Sequence, residues 1–466
     1  MGDKMKLLKI HPLDNVAVDT ETGFKTALED IAANGSVMKY GMPIGHATRD
    51  IKAGERVHTD NMATSLSEHM EYTFRGAMEP RPLTPCEDTF MGYPRKDGSV
   101  GTRNELWIIP TVGCVNKIAE KLASETGAFA FTHPFGCSQL GDDHKTTQYI
   151  LRGLILNPNA GGVLVLGLGC ENNTMVSFKA LLTDADPERV RFLVCQDAED
   201  EIAEGKKLID ELKARMEKDV RVPCPVSALR VGLKCGGSDG YSGITANPLV
   251  GRFSDRVTSC GAAAVLTEVP ELFGAETLLM NRAVSRDVFD DTVSLINRYK
   301  DYFVRHGQVV YENPSPGNKA GGISTLEDKS MGCTQKSGGS PVMGVLGYGD
   351  RIPAGGLWLL EGPGNDMVAV TNLTAAGCNM ILFTTGRGTP LGAPVPTIKI
   401  ATNSVLAGKK KGWIDFDASP ALEQENIPAL DESFYRFVLE TASGKETRNE
   451  QNNCREISIF KDGVTL

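Results

Sequence analysis

The sequence predicts an α/β protein built from three units. Within residues 89–223, apolar segments alternate with helical patterns four times, which is typical of a parallel sheet covered by helices. Residues 1–72 carry short apolar stretches separated by turns, which indicates a small β-rich unit. Glycine makes up 50 of the 466 residues, about 11% against a usual share of roughly 7%, and many glycines lie in the loops of residues 224–466. We therefore expect an irregular, glycine-rich α/β unit there.

The β-rich unit is followed by a proline-rich segment. Turn pairs such as Asn34-Gly35 and Ala53-Gly54 lie between its apolar stretches. Residues 73–88 then hold three prolines, so we expect a linker in this segment.

The middle unit shows the clearest strand and helix patterns. Its predicted strands cover residues 105–112, 128–132, 162–168 and 191–195, and each is followed by a helical pattern. The run GGVLVLGLG is apolar throughout, as expected for a central strand of a parallel sheet. These patterns predict a Rossmann-like domain.

Charge and cysteine content exclude several classes of protein. The chain has 49 basic and 59 acidic residues, a net charge of −10, which argues against a nucleic-acid partner. Its 11 cysteines show no CxxC spacing and no disulfide framework, which favours a reducing cytoplasm. No apolar run approaches the ~18 residues that span a membrane, and the first residues lack the apolar core of a signal peptide.

Cysteines follow three predicted strands of the middle unit. Cys114, Cys137 and Cys170 lie where these strands end, and His133 and Glu171 are close to them in sequence. Ligands of open α/β sheets bind beyond the carboxyl ends of the strands. Thiolate, imidazole and carboxylate together are suited to iron, and three thiols can also hold an iron–sulfur cluster. The alternative is that these cysteines are small buried hydrophobic residues.

Two other interpretations of the glycine-rich loops are weak. The dinucleotide pattern GxGxxG and the phosphate loop GxxxxGK[ST] are both absent. The segment GGSDG satisfies GxSxG with Ser238 as a nucleophile, which would indicate a serine hydrolase. That fold needs a helix directly after the serine, and Gly243 and Pro248 disfavour one.

Basic residues in the glycine-rich loops favour an anionic ligand. Lys319 lies in PGNKAGG, Arg387 in TTGRG and Lys399 in TIKIATN. Arginine can bind a carboxylate with two hydrogen bonds. A lysine can act as a general base when burial lowers its pKa. Hydroxyl, amide and carboxylate side chains occur in the same unit and suit a polyhydroxy substrate: Ser238, Asp239, Asn247, Asn318, Thr385 and Asn403. The alternative is that they bond their own turns.

Several long motifs resemble those of the altronate/galactarate dehydratases over nearly the whole chain. They are KYGMPIGHATRDIKAGERVHTDN, MGYPRKDGSVGTRNELWIIPTVGC, GGVLVLGLGCE, CGGSDGYSGITANP, EVPELFGAE, PGNKAGG, FTTGRG and KIATN. The resemblance implies that the N-terminal unit is a SAF domain. It also implies a hydro-lyase that removes water from C2–C3 of an aldonate or aldarate to give a 2-keto-3-deoxy acid. It implies Fe2+, with Mn2+ as an alternative. The sulfolactate sulfo-lyases, which eliminate sulfite, are similar to this family.

Roles for the candidate residues follow from this chemistry. Lys319 or Asp239 is the expected base, with Ser238 beside them. Arg387 and Lys399 are expected to hold the carboxylate of the substrate. The other expected substrate contacts are Asn247, Asn318, Thr385, Asn403 and His58. The expected metal ligands are Cys114, His133, Cys137, Cys170 and Glu171.

Two positions depart from the family pattern. Phe24 and Asp60 stand where histidines are expected in the SAF domain. A different acid substrate, or a sugar-acid binding protein without catalysis, is therefore the alternative to an altronate-type dehydratase. We expect a homodimer by default.

Overall fold

The N-terminal unit is a pair of small antiparallel sheets. The protein is described by a computed structural model that covers residues 7–66 and 70–466, so residues 1–6 and 67–69 of the predicted unit lie outside the described residues. Its strands are β1 (Leu7–Leu8), β2 (Val16–Asp19), β3 (Lys25–Ala27), β4 (Ser36–Lys39), β5 (Met42–Ala47), β6 (Arg56–Val57) and β7 (Met62–Ala63). The strand orders are β1-β2-β3-β6 and β4-β5-β7. Ala275 and Met331 of the C-terminal unit complete its apolar core.

The segment after this unit runs along the C-terminal unit. Residues 70–88 form neither helix nor strand. Met78 N donates a hydrogen bond to Ala283 O, and Thr84 N donates one to Ser259 O. The segment is therefore held in place along its course.

The middle unit contains the predicted parallel sheet. Its elements are β8 (Thr89–Pro94), β9 (Val100–Gly101), β10 (Glu105–Pro110), α1 (Asn116–Thr126), β11 (Phe129–Ala130), α2 (Gly141–Ile155), β12 (Ala160–Gly167), α3 (Met175–Lys179), β13 (Val190–Val194), α4 (Glu201–Met216) and β14 (Val222–Pro225). Four parallel strands have the order β11-β10-β12-β13, which confirms the predicted architecture. The order β14-β8-β9 defines a separate antiparallel sheet that we did not predict.

The C-terminal unit is a seven-stranded parallel sheet. Its strands are β15 (Arg230–Cys235), β16 (Ala263–Leu266), β17 (Val342–Leu346), β18 (Gly356–Leu360), β19 (Met380–Thr385), β20 (Thr397–Ala401) and β21 (Phe416–Asp417). Their order is β17-β18-β16-β15-β19-β20-β21, and every pair is parallel. The predicted α/β class is confirmed. We expected an irregular unit from the glycine-rich loops, whereas the sheet is regular.

The helices of this unit explain why its topology could not be predicted. They are α5 (Ala246–Ser259), α6 (Glu276–Met280), α7 (Arg286–Arg305), α8 (Pro316–Ala320), α9 (Leu326–Thr334), α10 (Asp366–Ala375), α11 (Ser404–Lys409), α12 (Ile427–Ala442) and α13 (Arg448–Gln451). Helix α9 is buried along its whole length, and α10 nearly so. A helix that is buried on all sides lacks the polar face that gives a helical pattern. None of the helices within the described ranges is long and apolar enough to cross a bilayer.

The two parallel sheets share one apolar core. Helix α2 of the middle unit packs on α10 of the C-terminal unit. A Cβ atom at Gly153 would lie 2.4 Å from Ala375 O, so only glycine allows this close approach. The shared core holds the carboxyl edges of both sheets in fixed positions.

Candidate active site

The carboxyl edge of the seven-stranded sheet brings several predicted site residues together. The chain leaves central β15 for β16 on one side and later returns to β19 on the other, so the strand order reverses between β15 and β19. Open α/β sheets bind ligands at such a point. The segments that follow β15, β19 and β20 carry Ser238, Asp239, Arg387 and Asn403.

Asp239 connects two of these segments. Its carboxylate accepts hydrogen bonds from Thr402 Oγ1 at 2.9 Å, Asn403 Nδ2 at 2.9 Å and Ser242 Oγ at 3.0 Å. Burial raises the pKa of Asp239, although these hydrogen bonds act in the opposite direction. The side chain therefore fixes the loop after β15 to the segment after β20.

Ser238 and Asn318 connect the same loop to helix α8. Asn318 Nδ2 donates to Ser238 O at 2.8 Å, and Asn318 Oδ1 accepts from Lys329 Nζ at 3.2 Å. The Ser238 side chain is buried, and its Oγ has no hydrogen-bond partner among the described residues. Lys319, the next residue of α8, is half-buried, and its Nζ forms no hydrogen bond or ion pair with the described part of the chain. The Lys319 ammonium is therefore available to a bound molecule, whereas the Ser238 hydroxyl is closed off from solvent.

Arg387 and Lys399 differ in their surroundings. Arg387 is exposed beside Gly237 and Gly317, and its guanidinium has no partner within the described ranges. Lys399 is buried, and its Nζ donates to the carbonyl oxygens of Thr389 and Leu391. Burial lowers the pKa of Lys399 to about 8. Arg387 is thus open to a ligand, whereas Lys399 holds the loop after β19.

Asn247 and Thr385 are buried and bond within the protein. Asn247 Nδ2 donates to Gly332 O at 2.9 Å, and its Oδ1 accepts from Thr384 Oγ1 at 2.6 Å. Thr385 Oγ1 accepts from Gly388 N at 2.8 Å. Asn247 therefore joins α5 to α9 and to β19, and Thr385 binds the loop that follows its own strand.

Two lysines of the N-terminal unit reach into the same region. Lys25 Nζ lies 2.7 Å from Asp328 Oδ2 on α9, and Lys39 Nζ lies 3.0 Å from Asp328 Oδ1. The three side chains are at most 4% exposed. Burial alone would raise the pKa of Asp328, but the two lysines outweigh it and hold this pKa well below its usual range. The carboxylate therefore anchors both lysines.

A small cavity lies at this junction between the two units. Its lining includes Lys39, Tyr40, Ser238, Asp239, Ser242, Asn247, Asp328, Lys329 and Cys333. Its volume of about 10 Å³ has room for about one water molecule. A molecule the size of a sugar acid does not fit in the cavity in this arrangement.

His58 lies at the edge of the same junction. Its Nδ1 is 3.0 Å from Ser324 Oγ, and its ring meets Phe24 edge to face at 5.2 Å between centroids. Burial, with smaller effects from nearby cations, lowers the pKa of His58 to about 4. Of the two residues that depart from the family pattern, Phe24 therefore lies at the junction, whereas Asp60 is exposed, 3.9 Å from Arg49.

A buried cluster of thiols and carboxylates lies behind this cavity. Cys235 ends β15, Cys333 lies on α9, and Glu271 lies in the short turn Val269–Leu272. The two Sγ atoms are 3.2 Å apart, and Glu271 Oε2 lies 3.5 Å from Cys235 Sγ and 3.3 Å from Cys333 Sγ. In the described part of the chain, this is the one group of three or more histidine, cysteine or carboxylate ligands whose atoms all lie within 4.8 Å of one another.

Three buried lysines surround this cluster. Lys329 Nζ lies 2.8 Å from Glu271 Oε1, Lys336 Nζ lies 2.8 Å from Cys235 Sγ, and Lys234 Nζ pairs with Glu268. Burial alone would raise the pKa of Glu271, but the lysines lower it to about 2. The carboxylate of Glu271 is therefore charged at neutral pH.

Sequence reasoning did not select these three residues. Cys235 lies at the carboxyl end of β15. Ligands of open α/β sheets bind at such strand ends, and the same argument that selected Cys170 in the middle unit applies to Cys235. Glu271 and Cys333 come from a turn and a buried helix, and no spacing in the sequence links them to Cys235.

The predicted ligands of the middle unit lie at the carboxyl edge of its own sheet. Cys114, Cys137 and Cys170 are exposed free thiols. His133 is buried, with its Nε2 2.8 Å from Pro110 O and its Nδ1 accepting from Phe135 N at 3.2 Å. Burial lowers the pKa of His133 to about 4. Both ring nitrogens of His133 are therefore engaged by the backbone.

Glu171 is also engaged within the protein. Its carboxylate accepts hydrogen bonds from Thr111 Oγ1 at 2.8 Å, Leu168 N at 3.1 Å and Gly169 N at 2.6 Å. Burial alone would raise the pKa of Glu171, but the hydrogen bonds lower it. The three thiols are thus the members of the predicted ligand set that have no strong internal partner among the described residues.

Comparison with known families covers all three units. Residues 16–65 match the altronate/galactarate dehydratase SAF domain. Residues 92–217 match the D-galactarate dehydratase/altronate hydrolase second domain. Residues 226–465 match the D-galactarate/altronate dehydratase C-terminal domain.

Three relatives carry informative names. The altronate dehydratase of Escherichia coli (strain K12) is 51% identical over 99% of this chain and 100% of the relative. The galactarate dehydratase (L-threo-forming) of the same organism is 34% identical over 94% of this chain and 93% of the relative. The (2R)-sulfolactate sulfo-lyase subunit beta of Chromohalobacter salexigens is 32% identical over 80% of this chain and 97% of the relative. With its three domains matched in order, the chain belongs to the D-galactarate/altronate dehydratase family.

Proposed function

We propose that this protein is a hydro-lyase that dehydrates a sugar acid of the altronate type to a 2-keto-3-deoxy acid. The observation that carries this proposal is the edge between β15 and β19, where the charged groups of Arg387 and Lys319 have no partner among the described residues. A cation that binds the carboxylate and a base are the groups that the dehydration of a sugar acid requires. The 51% identity to an altronate dehydratase supports this substrate class.

The reaction needs a base and a group that holds the carboxylate. The base takes the proton from C2, the hydroxyl on C3 takes up one proton and leaves as water, and the resulting enol converts to the 2-keto acid. Arg387 binds the carboxylate of the substrate through charge-assisted hydrogen bonds. Lys319 is a better candidate for the base than Asp239, because the oxygens of Asp239 already accept several hydrogen bonds.

The remaining predicted residues take supporting roles in this proposal. Ser238 holds Asn318 of α8 through its carbonyl oxygen, and a catalytic role of its buried hydroxyl stays a prediction. Lys399 positions the loop that carries Arg387, since its Nζ holds two carbonyl groups of that loop. Substrate contacts by Asn247, Asn318, Thr385, Asn403 and His58 stay predictions.

The cofactor that we propose is iron. Its expected ligands are the exposed thiols Cys114, Cys137 and Cys170, a soft donor type that suits Fe2+ or an iron–sulfur cluster better than Mn2+. Among the described residues their sulfur atoms do not all lie within 4.8 Å of one another, so iron binding there requires the strand-end loops to move. His133 and Glu171 would support the surrounding backbone, because their polar atoms are already engaged.

The test is product formation by the full-length, iron-loaded protein. We expect a 2-keto acid from altronate in a panel of aldonates, aldarates and sulfolactate. Lys319→Ala should slow formation of this product by about 10²–10⁴, whereas Lys410→Ala, a substitution outside the site, should leave the rate unchanged. Absence of a 2-keto acid from every substrate, together with measurable binding of one of them, would overturn the proposal in favour of a binding protein. Release of sulfite from sulfolactate alone would favour a sulfo-lyase.

Two further expectations belong to this proposal. All 11 cysteines are free thiols, which supports the cytoplasmic location that we expect. The homodimer is a prediction that sedimentation of the purified protein would test.

A further inference from the structure

We propose that Cys235, Glu271 and Cys333 bind one divalent transition-metal ion of the zinc or ferrous type. The site lies at the carboxyl end of β15, behind the cavity between the N-terminal and C-terminal units. It is separate from the strand-end thiols of the middle unit, which belong to another sheet.

The distances between the three donor atoms suit a tetrahedral ion. Metal–sulfur bonds of about 2.3 Å and metal–oxygen bonds of about 2.0 Å place two sulfurs about 3.8 Å apart and sulfur and oxygen about 3.5 Å apart. The two S–O distances are 3.3 and 3.5 Å, and the S–S distance is 3.2 Å. A widening of the sulfur pair by about half an ångström therefore completes the geometry.

The charges around the site allow a divalent cation. Lys234, Lys329 and Lys336 are balanced by three carboxylates, those of Glu268, Glu271 and Asp366. A divalent ion held by two thiolates adds no net charge to this neutral set. The buried site can thus accept the ion without leaving an uncompensated charge.

The neighbouring groups hold the ligands in place. Lys336 Nζ donates to Cys235 Sγ at 2.8 Å, and Lys329 Nζ lies 2.8 Å from the oxygen of Glu271 that faces away from the sulfurs. Glu268 accepts from Lys336 and from Cys235 N. Glu268 has a φ of 69°, a strained value for a residue with a side chain. Such outer contacts commonly orient metal ligands.

The site borders the cavity at the junction between the N-terminal and C-terminal units. Cys333 and Lys329 line the cavity that Ser238 and Asp239 also line. Three protein ligands leave a fourth position open, as in sites where a metal binds water or substrate.

The experiment measures metal binding by reduced, full-length protein. The protein is stripped with a chelator and titrated with Co2+, whose thiolate ligands give charge-transfer absorption in the near ultraviolet. The background is Cys114→Ser/Cys137→Ser/Cys170→Ser, which removes the other proposed site. We expect one equivalent of Co2+ with thiolate absorption in this background, and its displacement by Zn2+.

Variants locate the ion. Cys333→Ser and Glu271→Gln should each lower the affinity for Co2+ at least 10-fold, because each removes one ligand. Cys378→Ser is the matched control, since Cys378 is also a buried free thiol of this unit and should leave binding unchanged. If Cys333→Ser does not fold, Glu271→Gln keeps both thiols and nearly the same volume.

Three outcomes would overturn the proposal. They are the absence of thiolate absorption in the triple background, unchanged Co2+ affinity in both ligand variants, and a Cys235–Cys333 disulfide in the purified protein. The measurement does not involve turnover, so its result is independent of whether the protein dehydrates a sugar acid.

Discussion

Lys25 Nζ on β3 lies 2.7 Å from Asp328 Oδ2 on α9, and both side chains are 1% exposed. This ion pair joins the N-terminal unit to the helix that carries Lys329 and Cys333. The N-terminal unit therefore forms one wall of the candidate site, and its contacts with the C-terminal unit are open to direct tests.

Removal of Lys25 should destabilise this junction strongly. Lys25→Met leaves one oxygen of Asp328 buried without its cation, and breaking a buried pair costs about 3–5 kcal/mol. We expect a lower midpoint of thermal unfolding and faster proteolysis at the junction. Lys52→Met is the control, because Lys52 pairs with Asp30 at the surface, where a pair contributes about 0–1 kcal/mol. Equal midpoints for the two variants would contradict this prediction.

Acidification should weaken the same junction through His58. Burial lowers the pKa of His58 to about 4, whereas the unfolded value is about 6.5. As the pH falls, the unfolded state binds the proton first, so the contribution of His58 is fully present above about pH 6.5 and is lost towards pH 4.

The pH dependence of the unfolding midpoint measures this effect. His58→Gln should reduce its slope between pH 6.5 and 4. Ser324→Ala removes the hydrogen bond to the ring but leaves the imidazole buried, so it should keep most of the slope. A slope unchanged by His58→Gln would exclude this residue as the cause.

Substitutions of Lys319 and Asp239 should have different effects on kcat and on thermal stability. Lys319→Ala should lower kcat by about 10²–10⁴ with little change in thermal stability, because Lys319 Nζ has no partner among the described residues. Asp239→Asn should lower both activity and stability, because its carboxylate joins two loops. Paired measurements of kcat and unfolding midpoint distinguish the two. Full stability in Asp239→Asn would argue against its role in positioning the loops.

Arg387 should affect substrate binding more than turnover. A charge-assisted hydrogen bond contributes about 1.5–3 kcal/mol, so Arg387→Ala should raise KM by roughly 10- to 150-fold. Steady-state kinetics with altronate measures this change. Lys409→Ala, on the outer helix α11, should leave KM unchanged. An unaltered KM in Arg387→Ala would place the carboxylate elsewhere.

Gly240→Ala should disrupt the packing of the N-terminal unit against the C-terminal unit. A Cβ atom at residue 240 would lie 1.9 Å from Gly23 O, so the backbone of the N-terminal unit has to move. We expect lower activity and a more exposed junction, measured by hydrogen exchange. Gly408→Ala is the control, since a Cβ atom at residue 408 would meet nothing within 4 Å among the described residues and alanine favours the helix. Wild-type exchange in Gly240→Ala would show that this contact is dispensable.

The middle unit shows which structural features local sequence patterns can predict. Its four strands are short apolar runs, each followed by a helix with one polar face, and both patterns are local. The prediction of a parallel sheet from residues 89–223 is therefore confirmed. The C-terminal sheet has the same construction, but its buried helices α9 and α10 give no periodic pattern.

The candidate site shows a corresponding limit. Ser238, Asp239, Arg387 and Asn403 could be selected because they are polar or charged residues in or beside glycine-rich loops. Lys25, Lys39 and Asp328 could not, since their ion pairs join residues about 300 positions apart. The same holds for Cys235 and Cys333, which are 98 positions apart.

The sequence by itself determined the α/β class, the parallel sheet of the middle unit and the resemblance to one enzyme family. Local apolar patterns and long ordered motifs carry that information. Only the tertiary structure decided which polar groups are already engaged, which are open to a ligand, and that two thiols and a carboxylate meet behind the cavity. Those properties depend on burial and on contacts between distant segments, which arise when the sheets pack and the N-terminal unit closes on α9.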